Sequence, residues 1–257
     1  MTIILPLQNN KGQAMTEFII IAFVLLLLTL GVVQLIFVYQ AKANLNYAAF
    51  EAVRAGTQEN ASPIAIRHGF VRGIAPSLIR VVDDPSISTS SQDTRNTALA
   101  TAYTRAYDEY KTDVRVERIN PLPAHFTEAN WGRIIPQWEI DQEGLVSLLN
   151  SPFYIPNEHL LNKPNTPKAG ISIQDANILK LRITYCVELI VPFVNSIFEN
   201  AYKLIYTNSN SVFIKDTTKA GNTKGFNQEC VDRPDKRIPI VAQAIMRMQS
   251  PARDYKF

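Results

Sequence analysis

The chain has 257 residues, of which 46% are hydrophobic and 19% charged, and its formal net charge is +3 at pH 7. This charge is too small, and the lysines and arginines too scattered, to indicate nucleic-acid binding. Apart from one apolar stretch near the N-terminus, the composition is that of a globular protein, and what remains is long enough for one domain with a real core or for two small ones.

The apolar stretch covers residues 18–38, which contain no charge and no proline and only Thr29 and Gln34 as polar interruptions. At 1.5 Å per residue it would form roughly 30 Å of helix, which is about the hydrocarbon thickness of a bilayer. No small-residue cleavage site follows it, since the chain continues Tyr39-Gln40-Ala41-Lys42. The pattern therefore predicts a retained transmembrane helix.

A processing-like signal precedes this stretch. Cleavage after Gly12 would make Gln13 the first residue and Glu17 the fifth, which is the arrangement of a prepilin. A carboxylate at the edge of an apolar helix is costly in lipid unless it has a partner, and a freed α-amino group of the same chain or of a neighbouring subunit would supply one. Residues 1–12 are thus predicted to be a leader and Glu17 an assembly residue. The alternative is an uncleaved single-pass anchor with Glu17 at the interface.

The predicted helix runs on past the membrane, so residues 13–56 form one long N-terminal element. No breaker interrupts residues 41–55, and small apolar residues fall on one helical face: Leu45, Ala48, Ala49, Ala52 and Val53. Gly56, together with Asn60, Ser62 and Pro63, is expected to stop this helix. Ser62 followed by Pro63 predicts the start of a second helix over residues 63–74.

The first half of the remaining chain, which we assign to a domain over residues 57–257, mixes loops, helices and a strand. Residues 83–96 are polar and rich in Ser and Thr, which predicts an exposed loop. A helix is predicted over residues 97–110, with Tyr103, Ala106, Tyr107 and Tyr110 on one face. Residues 113–119 alternate imperfectly between apolar and charged, as in a strand with one wet face.

Further along the chain the periodicity becomes stronger. A short helix is predicted over residues 141–149 and an exposed connection over residues 161–170. Residues 179–190 form the best predicted strand, with one apolar face: Leu181, Ile183, Tyr185, Val187 and Leu189. Pro192 begins a strongly amphipathic helix that is predicted to extend to about Tyr206.

A polar excursion over residues 208–235 separates that helix from a final predicted strand over residues 237–248. Taken together, the order of elements predicts an α+β protein. Its long N-terminal helix, partly in the membrane and partly outside it, packs on a small antiparallel sheet with additional helices.

The two cysteines, Cys186 and Cys230, are far apart and lack the close spacing that metal binding or redox catalysis requires. A single structural disulfide in an oxidising compartment is the better interpretation, and two unrelated buried thiols are the alternative. Lys11 before the span and Lys42 and Arg54 after it give a weak charge bias against an external domain. The disulfide and the leader nevertheless favour a large domain outside the cytoplasm.

A search for catalytic patterns gives little. His68, His125 and His159 are isolated from one another and from carboxylates at ligand spacing, so no metal motif is present. The nucleophile-elbow, phosphate-loop and dinucleotide patterns are also missing from the sequence. We therefore expect no enzymatic activity, no metal and no cofactor.

Four stretches resemble the TadE-like minor pilins, or pseudopilins, of the bacterial tight-adherence (Tad) pilus system. They are GQAMTEF, YAAFEAVRAG, ISIQDANILKLRITYCVELIVPFV and IPIVAQAIMRMQSP. The first is general to type IV-like prepilins and the other three are more specific. The residue after Glu17 is Phe18, whereas the major pilin has Tyr there. This difference and the larger size favour a minor component.

The resemblance implies a cleavage after Gly12 by a prepilin peptidase, with Glu17 and Phe18 serving recognition or assembly. It implies a single-pass protein of the bacterial inner membrane with its large domain in the periplasm or outside the cell, where it could enter the pilus. The implied role is to initiate, cap or tether a filament, with the major pilin, other minor pilins and the inner-membrane assembly machinery as partners. The alternative is a membrane-anchored binding module or adhesin without prepilin processing, acting through residues 83–96 and 208–235.

Overall fold

The computed structural model describes residues 13–79, 92–144, 147–158, 160, 166–207 and 223–257. It confirms the predicted α+β class, with a long N-terminal helix followed by two small antiparallel sheets and further helices. The helices within these ranges are α1 (Gln13–Gln58), α2 (Pro63–Ile74), α3 (Gln92–Thr112), α4 (Gln137–Glu143), α5 (Ile173–Ala176), α6 (Val194–Thr207) and α7 (Thr223–Val231). The strands are β1 (Val114–Asn120), β2 (Arg133–Ile134), β3 (Leu149–Ile155), β4 (Ile178–Glu188), β5 (Arg237–Arg247) and β6 (Ala252–Tyr255).

The C-terminal half of α1 packs against α2 through small residues. All five residues of the predicted stripe on α1 are fully buried. On α2, a Cβ added to Gly69 would lie 2.5 Å from the carbonyl oxygen of Glu51, and one added to Gly73 would lie 2.5 Å from the Cα of Ala48. Real Cβ atoms do not approach backbone this closely, so the two helices touch backbone to backbone and α2 requires glycine at both positions.

Among the residues predicted to stop α1, Gly56 does not end the helix, whereas Asn60 does. Gly56 lies inside α1, where an added Cβ would be 2.7 Å from Cγ1 of Ile66 and 3.0 Å from Cδ2 of Leu179, so this glycine serves close packing. The helix ends at Gln58 because Asn60 turns into the left-handed region at φ 56°. The N–H of Ala61 then donates to the carbonyl of Gly56 at 2.8 Å, closing the helix end. The second helix begins at Pro63 and ends at Ile74, as predicted.

The first sheet has the order β1-β4-β5 and is antiparallel throughout. The predicted central strand is confirmed: β4 pairs with β5 along its whole length, from Ile178 opposite Arg247 to Glu188 opposite Arg237. Leu179, Leu181 and Ile183 of β4 are fully buried. They belong to the same core as the α1 stripe and the predicted face of α3, so the long helix is an integral part of the domain.

Several predicted boundaries are corrected. Helix α3 begins at Gln92, so residues 92–96 of the predicted loop are helical, whereas residues 83–91 lie outside the described part of the chain. The short helix is α4, which ends at Glu143 before Gly144 at φ 60°, and Leu149 begins a strand instead of ending a helix. Strand β6 follows the strand that was predicted to be last, and α7 lies within the predicted polar excursion.

The second sheet, β2-β3-β6, is joined to the first by a buried ion pair. Nη2 of Arg118 in β1 lies 2.6 Å from Oδ1 of Asp254 in β6, and both side chains are at most 4% exposed. The other oxygen of Asp254 accepts hydrogen bonds from Asn150 Nδ2 at 3.0 Å and Ser151 Oγ at 2.8 Å in β3. Both oxygens of the Asp254 carboxylate are thus hydrogen-bonded, as a buried pair requires, whereas Nε of Arg118 is buried without a hydrogen-bond partner in the part of the chain that the structure describes. The pair therefore fixes how the two sheets meet.

Substitution of Gly73 by Val tests the backbone contact between α1 and α2. The added side chain would have to separate the helices, so we expect the free energy of unfolding to fall by about 2 kcal/mol or more. Denaturant titration of the full chain in detergent micelles measures this. Arg72→Ala, an exposed position on the same helix, should change stability by no more than about 0.5 kcal/mol. Equal stabilities of the two variants would contradict the contact.

His125 makes the stability of the domain depend on pH. Its side chain is buried, and its Nδ1 accepts a hydrogen bond from the N–H of Leu122 at 3.0 Å. Burial lowers the pKa of His125 below 6.5; the backbone of Ala169 opposes this shift and the charge of Arg118 adds to it. In the unfolded chain the His pKa is about 6.5, so as the pH falls His125 binds a proton more readily in the unfolded chain than in the folded one. The stability that the neutral His125 gives to the fold is therefore fully present above about pH 6.5 and is lost as the pH falls below it.

We expect the free energy of unfolding to decrease by up to about 1.4 kcal/mol per pH unit below pH 6.5 from this one group. In His125→Asn the amide oxygen can still accept from Leu122, but it does not titrate, so this part of the slope should disappear. His68→Asn, at an exposed site, should retain it. Unfolding measured from pH 7.5 to pH 5 compares the three chains, and an unchanged slope in His125→Asn would refute the prediction.

Candidate functional site: the N-terminal helix and its junction with the domain

The N-terminal half of α1 presents apolar side chains on all sides. Within the described residues it is the one helix long and apolar enough to cross a membrane, with a mean hydropathy of 3.0 and only 6% of its most apolar window buried. Exposed apolar surface of this extent is characteristic of a membrane or protein contact. The helix fits a single-pass membrane protein, as the sequence predicts.

The predicted processing and assembly residues occupy the end of α1 that is farthest along the helix from the folded domain. Gly12 lies outside the described residues, and Gln13 is the first residue of α1. Glu17 is exposed, and Phe18 is 70% exposed. A charged residue and an aromatic residue are therefore presented together at the start of the apolar half.

Gln34 joins the apolar half of α1 to the domain. The sequence shows it only as a polar interruption of the span, but in the structure it is fully buried. Its Oε1 accepts a hydrogen bond of 2.9 Å from the N–H of Val191, in the segment between β4 and α6. A buried amide oxygen is costly unless it is hydrogen-bonded, so this bond holds the segment after β4 against the helix at that level, whereas Nε2 of Gln34 has no hydrogen-bond partner among the described residues.

Lys42, further along α1 than Gln34, makes a second connection between this helix and the domain. Its ammonium donates to the carbonyl oxygen of Val241 in β5, and partial burial lowers the pKa of Lys42. Helix α1 also contacts β4 and β5 along its buried half. The candidate membrane helix therefore continues directly into the domain, where hydrogen bonds and contacts with β4 and β5 hold it. No linker separates its apolar half from the domain.

The structure joins Cys186 of β4 to Cys230 of α7 by a disulfide, as the sequence predicts. The Cα atoms are 5.8 Å apart, and both residues are fully buried. The bond closes a loop of 44 residues, which would stabilise the fold by about 4 kcal/mol in the chain-entropy description. It fixes α7 to the central strand of the first sheet.

Charged groups near the disulfide form a paired cluster. Asp113 forms ion pairs with Arg233 and, at 2.9 Å, with Arg237. The hydroxyl of Tyr185 donates to Oε2 of Glu109 at 2.6 Å, and burial together with the Glu109 carboxylate raises the pKa of Tyr185. Five groups are thus engaged in structural pairs. Tyr185, Glu109 and Arg237 border a cleft of about 290 Å³ that reaches Phe37 and Gln40 on α1.

The two histidines within the described residues, His68 and His125, have separate surroundings. His68 bonds the hydroxyl of Tyr107 at 2.8 Å, His125 lies in the domain interior, and His159 is outside the described residues. Among the residues that the structure describes, no group of three His, Cys, Asp or Glu side chains could hold a metal ion.

The fold and the site define a class: a small α+β domain built on the continuation of a single candidate membrane helix. Residues 12–54 match the model of the family described as TadE-like protein. This segment contains the apolar half of α1 and the whole of the small-residue stripe. The resemblance to TadE-like proteins is therefore confirmed for it, and it indicates a protein associated with the Tad pilus. Comparisons with curated proteins and with solved structures give no match.

Replacing Gln34 by Leu tests the junction. The N–H of Val191 would lose its acceptor, so we expect amide hydrogen exchange in residues 189–193 to become about tenfold faster, equivalent to about 1.4 kcal/mol. Exchange measured by mass spectrometry on the full chain in micelles reports this. Thr29→Leu removes a polar side chain that bonds only within α1, to Leu26, and should leave exchange unchanged. Identical exchange in both variants would show that Gln34 does not hold this segment.

Proposed function

We propose that this chain is a minor pilin of a Tad pilus, which initiates, caps or tethers the filament. The observation that carries the proposal is the continuity of α1. One helix is apolar and exposed over its first half and forms the core of the domain over its second half. Such an element can pack into a bundle of like helices while holding its domain in a fixed orientation. A flexible tether would not transmit that orientation.

We further propose that a prepilin peptidase cleaves after Gly12 and that Glu17 acts in recognition or assembly with Phe18. After cleavage, the α-amino group of Gln13 would be four residues from Glu17, about one helical turn away. The carboxylate could pair with that amine in the same chain or in a neighbouring subunit. In an apolar bundle such a pair is worth more than at a wet surface, so it would favour correctly aligned subunits.

The domain is proposed to lie outside the cytoplasm, in the periplasm or beyond it. The disulfide between Cys186 and Cys230 supports this location, because such bonds persist in oxidising compartments. The proposed partners are the membrane, the prepilin peptidase, the major pilin, other minor pilins and the inner-membrane assembly machinery. We propose no catalytic activity, and the pairing of Glu109, Asp113, Tyr185 and Arg237 supports a structural role for this cluster.

The mature N-terminus tests the processing step. Mass spectrometry of the protein from membranes of a host with the peptidase should find Gln13 as the first residue. A variant with Gly12→Leu should retain its leader, because a large side chain at the cleavage position would obstruct the peptidase. Intact residues 1–12 in the unmodified protein would contradict the proposal and favour the uncleaved anchor.

Alanine at position 17 tests assembly. In Glu17→Ala we expect pilus number per cell, counted by electron microscopy, to fall at least tenfold while the protein remains in the membrane at normal abundance. Glu59→Ala removes a carboxylate that follows the end of α1 and should leave pilus number unchanged. Normal pili in the Glu17 variant would argue for the alternative, an anchored binding module or adhesin.

A further inference from the structure

Helix α6 exposes part of its apolar surface, although Val194 at its start is buried. Phe193, which immediately precedes it, is 77% exposed, and Ile197 and Leu204 are 57% and 74% exposed. These positions share one side of the helix by their spacing of four and seven residues. Other positions of the helix are covered: Val194 is buried, Phe198 is half-buried, Lys203 lies 2.6 Å from Glu199, and Ser196 accepts a hydrogen bond from Lys236. Phe193, Ile197 and Leu204 remain uncovered by the described part of the chain.

The position of α6 relative to α1 supplies a reason. Val191, three residues before α6 begins, donates its N–H to Gln34. Gln34 is four residues inside the end of the predicted span at residue 38, which corresponds to about 6 Å of helix. The segment leading into α6 is therefore at the depth of the bilayer interface. Ile190 and Phe37, which border the same cleft, are also exposed.

We propose that α6 lies in the membrane interface on the side of the folded domain, with Phe193, Ile197 and Leu204 inserted among the lipids. Interfacial helices bury their apolar face about 5–10 Å into the boundary between headgroups and acyl chains, which agrees with the depth set by Gln34. The inference rests on the membrane span and is independent of the proposed pilus role.

The charges of α6 specify the kind of lipid surface. Its ionisable residues of acidic and basic type are Glu199 and Lys203, which pair with each other. The helix therefore has no excess positive charge with which to recognise anionic headgroups, in contrast to basic amphipathic helices. Its insertion depends on apolar area and should be the same in zwitterionic and anionic bilayers.

Two attachments to one bilayer have a mechanical consequence. A single span leaves a domain free to rotate and tilt about the helix, whereas a second element held at the surface fixes its orientation. The clamping of α1 by β4, β5 and the Gln34 bond makes the span, the domain and α6 one body. If the chain were withdrawn from the membrane, the exposed apolar residues of α6 would have to be buried against another protein surface.

Site-directed spin labelling of the full chain in nanodiscs, at one copy per disc, tests the proposal. Nitroxides attached at Ile197→Cys and Leu204→Cys are compared with one at Glu128→Cys, an exposed position elsewhere on the domain. The native cysteines are joined to each other and do not take the label. Collision with oxygen, which concentrates in lipid, and with a water-soluble nickel chelate measures the depth of each label.

We expect the two α6 labels to collide at least fivefold more with oxygen than with the nickel chelate, relative to Glu128→Cys, and equally so in discs of phosphatidylcholine alone and with phosphatidylglycerol. Labels on α6 that reach the nickel chelate as freely as the control would overturn the proposal. So would insertion only in anionic discs. Labels shielded from both reagents only when several copies share a disc would also overturn it, because they would show that a second copy covers α6.

A second measurement avoids the labels. In the double variant Ile197→Asn with Leu204→Asn, amide exchange in residues 194–207 should increase at least tenfold in discs, because the helix loses its lipid contact. Both positions are exposed, so the disulfide and the exchange of β4 should be unchanged. Asn200→Ala, also exposed on α6, provides the matched control and should not accelerate exchange. Unaltered exchange in the double variant would refute membrane insertion.

Discussion

The backbone contact between α1 and α2 is the constraint on which the structure depends. Ala48 and Ala52 on one helix meet Gly73 and Gly69 on the other, with no room for a further carbon atom. This contact places α1 inside the domain, so that the helix whose first half is the candidate membrane span also lines the core. Because a close-packed interior does not deform gradually, the orientation of the span is tied to that of the domain.

Buried polar groups determine how the remaining parts are arranged around this axis. Gln34 connects α1 to the backbone of Val191 after β4, and the half-buried Lys42 connects it to the backbone of Val241 in β5. Arg118 and Asp254 connect the two sheets, with Asn150 and Ser151 completing the shell of the carboxylate. Hydrogen bonds of this kind are directional, and a buried group that loses its partner is costly. They therefore select one arrangement among those that the apolar core alone would permit.

For a pilus-associated protein, this construction separates two tasks. The exposed half of α1, with Glu17 and Phe18 at its start, is available for contact with lipid or with other helices. The folded domain is attached to the other half, so its orientation follows that of the helix. The outward face of α6 extends the apolar surface from the span onto the domain.

Much of this could be predicted from the sequence, because the relevant signals are local. The absence of charge over residues 18–38 predicted the span, alternation predicted β4, and the Ser62-Pro63 pair predicted the start of α2. The small-residue stripe on α1 was also visible. The helix pattern after Pro192 was predicted correctly as well, although nothing in it revealed which way its apolar face would turn.

Other features were decided by contacts between distant residues. Glycine often ends helices, yet Gly56 is helical because Ile66 and Leu179 pack where its side chain would be. Leu149 reads as helical, yet it begins a strand because β6, about a hundred residues away, offers it a partner. The glycines at 69 and 73 have a spacing that could have been noticed, but only the approach of α1 shows what they do.

The sequence by itself predicted the candidate membrane span and the fold class from composition and local periodicity, and it favoured a disulfide between its two cysteines over two unrelated thiols. The tertiary structure decided the functions of Gln34, Arg118 and Asp254 and the outward direction of α6. These features depend on which distant segments come into contact. The residues next to a side chain in the sequence do not show which distant residue it will contact.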